Sequence, residues 1–547
     1  MNDNRTIPTA RTRRLVALLM TGALALVIAA GAAYGCAQST CLDNNTCDVA
    51  SALDAFSMET ERGPAADSAV APDTLATAET SGEASARPAS DAGALTVTSL
   101  SPEGGDDNVS IRAPIQAEFS RAVKLGSSPA LLAGPGSTLL ATTTSLSQDG
   151  RTLTITPVSG LIAPTQLTAG ITQVFDSDGN PLSQPVSWSW TSPLWLAAPA
   201  TPSDNRSGTE IAVAAGPGDQ LIAATTAYDR TDAMAPPSVV VQETLSYRDP
   251  WTALGGPLDP AGSSAPSLLV STDGSLFVAF VDHTNAFRVK TWVGSAWVDR
   301  GTPIGAGVCA PSLAPGAAGV IYALASENGA VTLRSADTAN AWSSVGGFIH
   351  TGNACQFPTM AFDPTGIPYV AYLDSGSLYV SALSSGSWTP VGGAVNASGT
   401  AQRASVAVDS TGGVFVFANI LEGTNFVFRL FARRLGTWAQ VGNPLDTGPQ
   451  YLLVPGGVFP VSLVAAPNGH LYAAWSSCGG TPTSPGCSLG FADIASGGWT
   501  KVAPPPPYAI WMATSLALNP LGNPVVAWPE QFLDGGPGSL NVFLLNR

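Results

Sequence analysis

Between Thr209 and Arg547 a unit of about 46 residues recurs, and few folds accept a chain built that way. Most copies open on a hydroxyl residue and a short apolar run: Ser267-Leu-Leu-Val, Ser312-Leu-Ala, Thr359-Met-Ala-Phe, Ser405-Val-Ala-Val, Ser462-Leu-Val-Ala and Ser515-Leu-Ala-Leu. The first copy reads Glu210-Ile-Ala-Val at this place. A glycine turn follows, at Gly274, Gly319, Gly366, Gly412, Gly469 and Gly522, and then a second apolar run such as Phe277-Val-Ala-Phe or Tyr369-Val-Ala-Tyr. A third run is clearest at Phe287–Trp292, Leu378–Ala382 and Phe426–Phe431. Six copies close on a tryptophan: Trp251, Trp297, Trp342, Trp388, Trp438 and Trp499, spaced 46, 45, 46, 50 and 61 apart. The longest interval holds Cys478 and Cys487, so an insertion closed by a disulfide accounts for it.

Four short strands cannot cover their own apolar faces, so adjacent units must do so, with the closing aromatic wedged into each joint. That is the pattern of a propeller blade. The seventh copy runs through Val525–Trp528 and Leu540–Leu545 but lacks a closing Trp strand, which Pro193-Leu-Trp195-Leu196 can supply. The expectation is an all-β chain with a seven-bladed β-propeller over residues 193–547. Cys309 and Cys355 stand at the same place in consecutive copies, which makes a staple between blades feasible.

Upstream, short β-branched runs at Leu95–Leu100, Ile115–Phe119, Thr152–Thr156, Leu167–Val174 and Val186–Trp190 give about 100 residues of strand pattern, the size of an Ig-type sandwich. Ser101-Pro102, Ile115-x-x-x-Phe119-Ser120 with Val123, Leu153-x-Ile155-x-Pro157, Leu161, Asp178-Gly-Asn-Pro-Leu182 and Trp188-Ser-Trp190-Thr191 fall in the order of the SbsA-type bacterial Ig-like domain, which residues 95–192 resemble. The resemblance implies a spacer or adhesive module. Asp176-Ser-Asp178-Gly-Asn180 reads as a β-turn in preference to a calcium loop.

The N-terminus has an export layout. Arg5, Arg11, Arg13 and Arg14 precede an uncharged apolar run from Leu15 to Ala33. Ala33-Tyr-Gly-Cys36 resembles the lipobox of bacterial lipoproteins, which implies lipidation at Cys36; retention of residues 1–35 as an anchor, or ordinary secretion, stays open. Each alternative places the remainder outside the cytoplasm, and a lipid or a retained anchor would keep it at the cell envelope as an outer-membrane or surface protein. Residues 36–94 are rich in Ala, Ser, Thr, Asp and Glu and read as a disordered tether. Seven cysteines leave three pairs once Cys36 is set aside: Cys41 with Cys47, Cys309 with Cys355, and Cys478 with Cys487.

A net charge of −16 argues against nucleic acid as a partner. The three histidines, His283, His350 and His470, fall in different copies, no CxxC spacing occurs, and neither a metal site nor a cofactor is expected. There is no G-x-S-x-G, H-E-x-x-H or phosphate-binding loop. The propeller resembles the sialidase-like repeat families, but Arg288, Arg334 and Arg429 fall on third strands, away from the axis, and only Arg403 stands at an inner-strand entrance. Second strands end in acids at Asp282, Asp374 and Glu530, with looser matches at Asp229, Glu327 and Glu422. These are the candidates for an acidic rim on the ligand face. Tyr228, Phe280, Tyr372, Trp475, Trp511 and Trp528 could form a sugar platform, but core packing explains them better. The sequence therefore points to a non-catalytic envelope lipoprotein that binds a glycan or peptide, or acts as a scaffold. A glycoside hydrolase or lyase with its site over the channel is the alternative.

Overall fold

The computed structural model describes residues 93–199, 206–229, 235–306, 308–316, 319–336, 341–352, 357–448, 461–481, 484–495, 498–503, 514–529 and 540–547. The export segment, the tether, Cys36, Cys41, Cys47, Cys355 and Glu530 lie outside them, as do the side chains of Asp229, Cys478 and Cys487. The described residues are all-β, with no α-helix among them. None of their helices is long and apolar enough to cross a membrane.

The first part is a sandwich. One sheet orders Val97–Ser101, Ile115–Phe119, Thr152–Pro157 and Thr142–Leu146. The other orders Val186–Ser192, Thr165–Ile171, Ala130–Ala133 and Leu139–Leu140. Alternation along each strand sends every second residue inward. Ile115, Ala117, Phe119, Leu153, Ile155, Leu167, Ala169, Trp188 and Trp190 meet there in one buried cluster. The Asp176 turn is an internal clasp. Its Oδ1 accepts the Asp178 and Asn180 amides at 3.0 and 2.8 Å, and Asn180 Nδ2 donates to Oδ2 at 3.0 Å. These bonds, that of the Asn180 side chain first, hold its carboxyl below the usual range.

Seven separate sheets of four or five strands follow. Their first strands are Arg206–Ala215, Ser263–Val270, Val308–Pro315, Thr359–Phe362, Thr400–Val408, Val461–Ala465 and Ser515–Leu518, here sheets one to seven. Each first strand packs against the next, and the last packs back on the first, so the arrangement is a propeller-like ring with these strands innermost. Second strands are covered on both faces: every residue of Leu276–Asp282 and of Pro524–Pro529 is buried. That explains why they read as unbroken apolar runs. The ring closes through strand exchange. Trp195–Ala197 pairs antiparallel with Leu540–Leu545 as the outer strand of sheet seven, with Trp195 opposite Leu545.

Two circles of hydrogen bonds explain the repeated residues. On the outside, every closing tryptophan donates its indole N–H to a carbonyl of the preceding sheet's outer segment. Trp297 reaches Leu254 at 2.7 Å, Trp342 Arg300 at 2.8 Å, Trp388 Val345 at 3.0 Å, Trp438 Val391 at 2.9 Å and Trp499 Asn443 at 3.2 Å. Trp195 reaches Ala503 and Trp251 reaches Pro199, both at 2.7 Å, which completes the circle. On the inside, the recurring hydroxyl accepts a backbone N–H of the next first strand. Ser267 serves Leu313, Thr359 serves Val406, Ser405 serves Leu463 and Ser515 serves Val213, at 3.0–3.3 Å. Between them lie the joints, such as Phe417, Phe428 and Trp475 between sheets five and six. The turns leading into second strands need a left-handed residue, and Gly366 and Gly412 supply it at φ 86° and 83°.

The sandwich docks on the closing strand. Asn108 pairs with Ala197 like a strand residue, Nδ2 to the carbonyl at 2.8 Å and Oδ1 from the amide at 3.0 Å. Asn546 Oδ1 accepts the Ile111 amide, and its Nδ2 donates to Pro193 and Val109. Asp106 meets Arg248 at 2.7 Å.

Candidate ligand site at the ring mouth

The proposed acidic rim is taken apart by the hairpins that carry it. Asp282 is buried, its Oδ1 accepting from Thr284 and Ala286 and its Oδ2 from Arg288 Nε at 2.5 Å. Glu327 takes Arg334 through two nitrogens at 2.9 and 3.0 Å, and Thr332 besides. Glu422 takes Arg429 the same way at 2.9 and 3.1 Å. Each pair joins a second strand to the third strand of its own sheet. Burial alone would raise the carboxyls of Asp282 and Glu327, but their donors outweigh it and hold both below the usual range. These three acids neutralise their own arginines. Asp374 lies 3.5 Å from His350 Nε2 and accepts from Ser375. The other two histidines also face carboxylates, His283 at Asp259 and His470 at Asp493, both at 2.7 Å. The aromatic platform is core: Phe280, Tyr372, Trp475 and Trp528 are buried, while Trp511 and the side chain of Tyr228 lie outside the described residues.

A different set of residues converges at the mouth. In every sheet the residue opposite the fourth position of the second strand is equivalent: Ala212, Ser267, Ser312, Thr359, Ser405, Ser462 and Ser515. Two residues before it, five of the sheets place Glu210, Ala265, Ala310, Phe357 and Arg403; positions 460 and 513 lie outside the described residues. Several of these first strands carry a β-bulge here, which re-aims a side chain from the joint. Ala265 and Phe357 have left-handed φ of 52° and 41°, an uncommon conformation for such residues.

Two of the five are charged, and they are treated differently. Glu210 Oε2 accepts from the Thr226 hydroxyl at 2.8 Å and from the Ala265 amide at 2.6 Å. Arg403 lies over the Phe357 ring, and its one hydrogen bond is a long one, 3.4 Å, from Nη1 to the Gln402 carbonyl. No carboxylate among the described residues forms an ion pair with it. Burial pulls its guanidinium down to about 9, with the Glu210 carboxylate pulling the other way, so it keeps its charge at neutral pH.

Opposite Arg403 in the ladder stands Asn419, which is fully buried. Neither its amide nitrogen nor its amide oxygen has a partner among the described residues. The same sixth position of the second strand is Thr226 in sheet one, Ser326 in sheet three and Ser476 in sheet six. Thr226 is satisfied by Glu210, whereas the Ser326 and Ser476 hydroxyls are buried without a partner, as is Thr514 of sheet seven. Arg403 was visible in the sequence as the one arginine at an inner-strand entrance. Glu210, Phe357 and Asn419 were not singled out as site residues; for Glu210 the available signal was a charge at a position that is Ala265 and Ala310 in the next two sheets.

Residues 91–192 match the family described as the bacterial Ig-like domain. No curated protein matches the chain. Among solved structures, SapL1 lectin in complex with alpha methyl fucoside is 15% identical, with TM-score 0.37, over 56% of this chain and 99% of that one. A polysaccharide lyase of family PL25, an ulvan lyase, is 12% identical, with TM-score 0.41, over 62% of this chain and 94% of that one. The six-bladed fucose lectin of Aleuria aurantia is 16% identical, with TM-score 0.36, over 54% of this chain and 95% of that one. Likenesses this distant say nothing about what the present chain binds.

Proposed function

We propose that this protein is an extracytoplasmic binding module, a seven-bladed β-propeller carried on an Ig-like spacer, which takes its ligand at the ring mouth. The observation that supports it is the contrast within one layer of the mouth, where Glu210 Oε2 is held by two donors, while among the described residues Arg403 has one long hydrogen bond and the Asn419 amide beside it has none. Buried polar groups in folded proteins are paired as a rule, and a set of them left open around a charge is what a binding site needs before its ligand arrives. Export and the lipid anchor at Cys36 belong to this proposal, as do the cysteine pairs. The backbone register that sets Cys478 opposite Cys487 supports one bridge, and Cys309 with Cys355 is the second proposed pair. In this reading the protein binds its ligand without transforming it, and it is supported by three second-strand acids, Asp282, Glu327 and Glu422, being tied to Arg288, Arg334 and Arg429.

A glycan and peptide array probed with the full-length protein tests the reading. Ligands retained by the native protein and lost on Arg403→Gln are the expected result. An array with no specific ligand, or cleavage of the retained ligand on incubation, overturns it.

A further inference from the structure

From the chemistry of the mouth we infer that its ligand is a small carboxylate carrying neighbouring O–H or N–H donors, held by Arg403 and Asn419 and facing Glu210. The inference rests on the binding reading above and adds the ligand's chemical class.

A guanidinium offers donors in a planar fork that fits a carboxylate, and an aromatic face behind it fixes the plane of that fork. Phe357 provides the face. Its backbone stands at a left-handed φ of 41°, an uncommon conformation for such a residue. Arg403 is then a preset anion receptor: apart from the long bond from Nη1 to the Gln402 carbonyl, its donors find no acceptor among the described residues. Asn419 stands opposite it in the same ladder, with an N–H₂ to donate and an oxygen to accept, and neither is used. A group that is both fully buried and without a partner is costly unless something fills the place, so its retention beside Arg403 points to a polar occupant.

Glu210 sets the other side of the ligand. It occupies the position in sheet one that Arg403 occupies in sheet five, and its charge is felt at Arg403 although no ion pair joins them. Thr226 and the Ala265 amide hold its Oε2 in place. The ligand therefore meets a cation at one wall of the mouth and an anion at another. It presents its carboxylate to the first and hydrogen-bond donors to the second. An acidic sugar and an amino acid both satisfy this chemistry; a neutral sugar satisfies only the second half.

Calorimetric titration of the full-length protein with D-glucuronate, L-glutamate and D-glucose at millimolar concentrations tests the inference. A carboxylate binds and glucose does not. Binding of glucuronate alone identifies an acidic sugar as the source, and binding of glutamate alone an amino acid; either supports the carboxylate site. Arg403→Gln weakens the bound carboxylate by about tenfold or more, because charged hydrogen bonds are lost. Asn419→Leu weakens it while leaving thermal unfolding unchanged, and Arg403→Lys retains part of the affinity, which guards against a folding defect in the Gln variant. Equal carboxylate binding by native protein and Arg403→Gln, or failure of both carboxylates, overturns the inference. If both fail while a neutral ligand found on the array still binds, the binding reading stands and only the ligand class falls. If the array is empty too, both fall.

Discussion

The joints of the ring and its mouth are built from the same strands, yet they handle polar groups in opposite ways. In the joints every closing tryptophan finds a carbonyl, and hydroxyls such as Ser405 find an amide. At the mouth, among the described residues, Arg403 has one long hydrogen bond and the Asn419 side chain has none. Seven similar units interlock because they repeat, and they can hold a ligand only where they stop repeating. A position that is alike in every sheet stabilises the assembly; one that differs from sheet to sheet is free to do something else.

The sharpest way to break this comparison is at the closure. Trp195→Ala removes a buried indole, its bond to Ala503 and the packing against Phe491. A loss of about 3–5 kcal/mol is expected in urea unfolding. A loss below about 1 kcal/mol would mean that sheet seven does not depend on the exchanged strand.

Next in size is Glu327→Gln, which leaves the partly buried Arg334 without its counter-charge. Because the Arg334 side chain is 29% exposed, the expected cost is discounted to about 2 kcal/mol. Glu327 also gives a pH signature. Its folded carboxyl lies below the ordinary 4.5, so the unfolded chain takes up its proton first. The stability it contributes is complete above that value and is lost as pH falls through the lower, folded one. Melting temperatures followed from neutral to acid should fall more steeply in the native protein than in Glu327→Gln.

Smaller again is Ser405→Ala, which strands the Leu463 amide in one joint and should cost about 1 kcal/mol. The smallest effect is the most informative. Asn419→Leu keeps the γ-branched shape and removes the polar group while adding bulk, so stability should stay within about 1 kcal/mol of native. A large loss would show that Asn419 is a structural residue and that mouth and joint follow one rule.

Much of the fold is legible in the chain because repetition makes it so. The serine, glycine and tryptophan of each unit carry the inner bond, the turn and the outer bond, and their spacing alone sets out the sheets. The Trp195 strand could be assigned because the seventh unit lacks what it supplies. The site is harder to read for the opposite reason. Asp282, Glu327 and Glu422 look like a free rim until the hairpin returns Arg288, Arg334 and Arg429 beside them, six or seven residues later. That spacing is local and could have been read. The meeting of Arg403 with Phe357, and of its field with Glu210, comes from different sheets, and only the curvature of the ring brings them together.

The clasp between Trp195–Ala197 and Leu540–Leu545 also fixes an order of events. During synthesis the strand that starts the ring emerges early and must wait, one edge unpaired, until the last unit arrives. Asn108 binds the backbone of that waiting strand at Ala197, and Asn546 ties the completed sheet to the sandwich at Ile111. The Ig-like unit thus covers the outer edge of that strand, the edge turned away from Leu540–Leu545, and leaves the inner edge to its late partner. Once the circle is shut, the same contacts tie the Ig-like unit to the sheet that closes the ring.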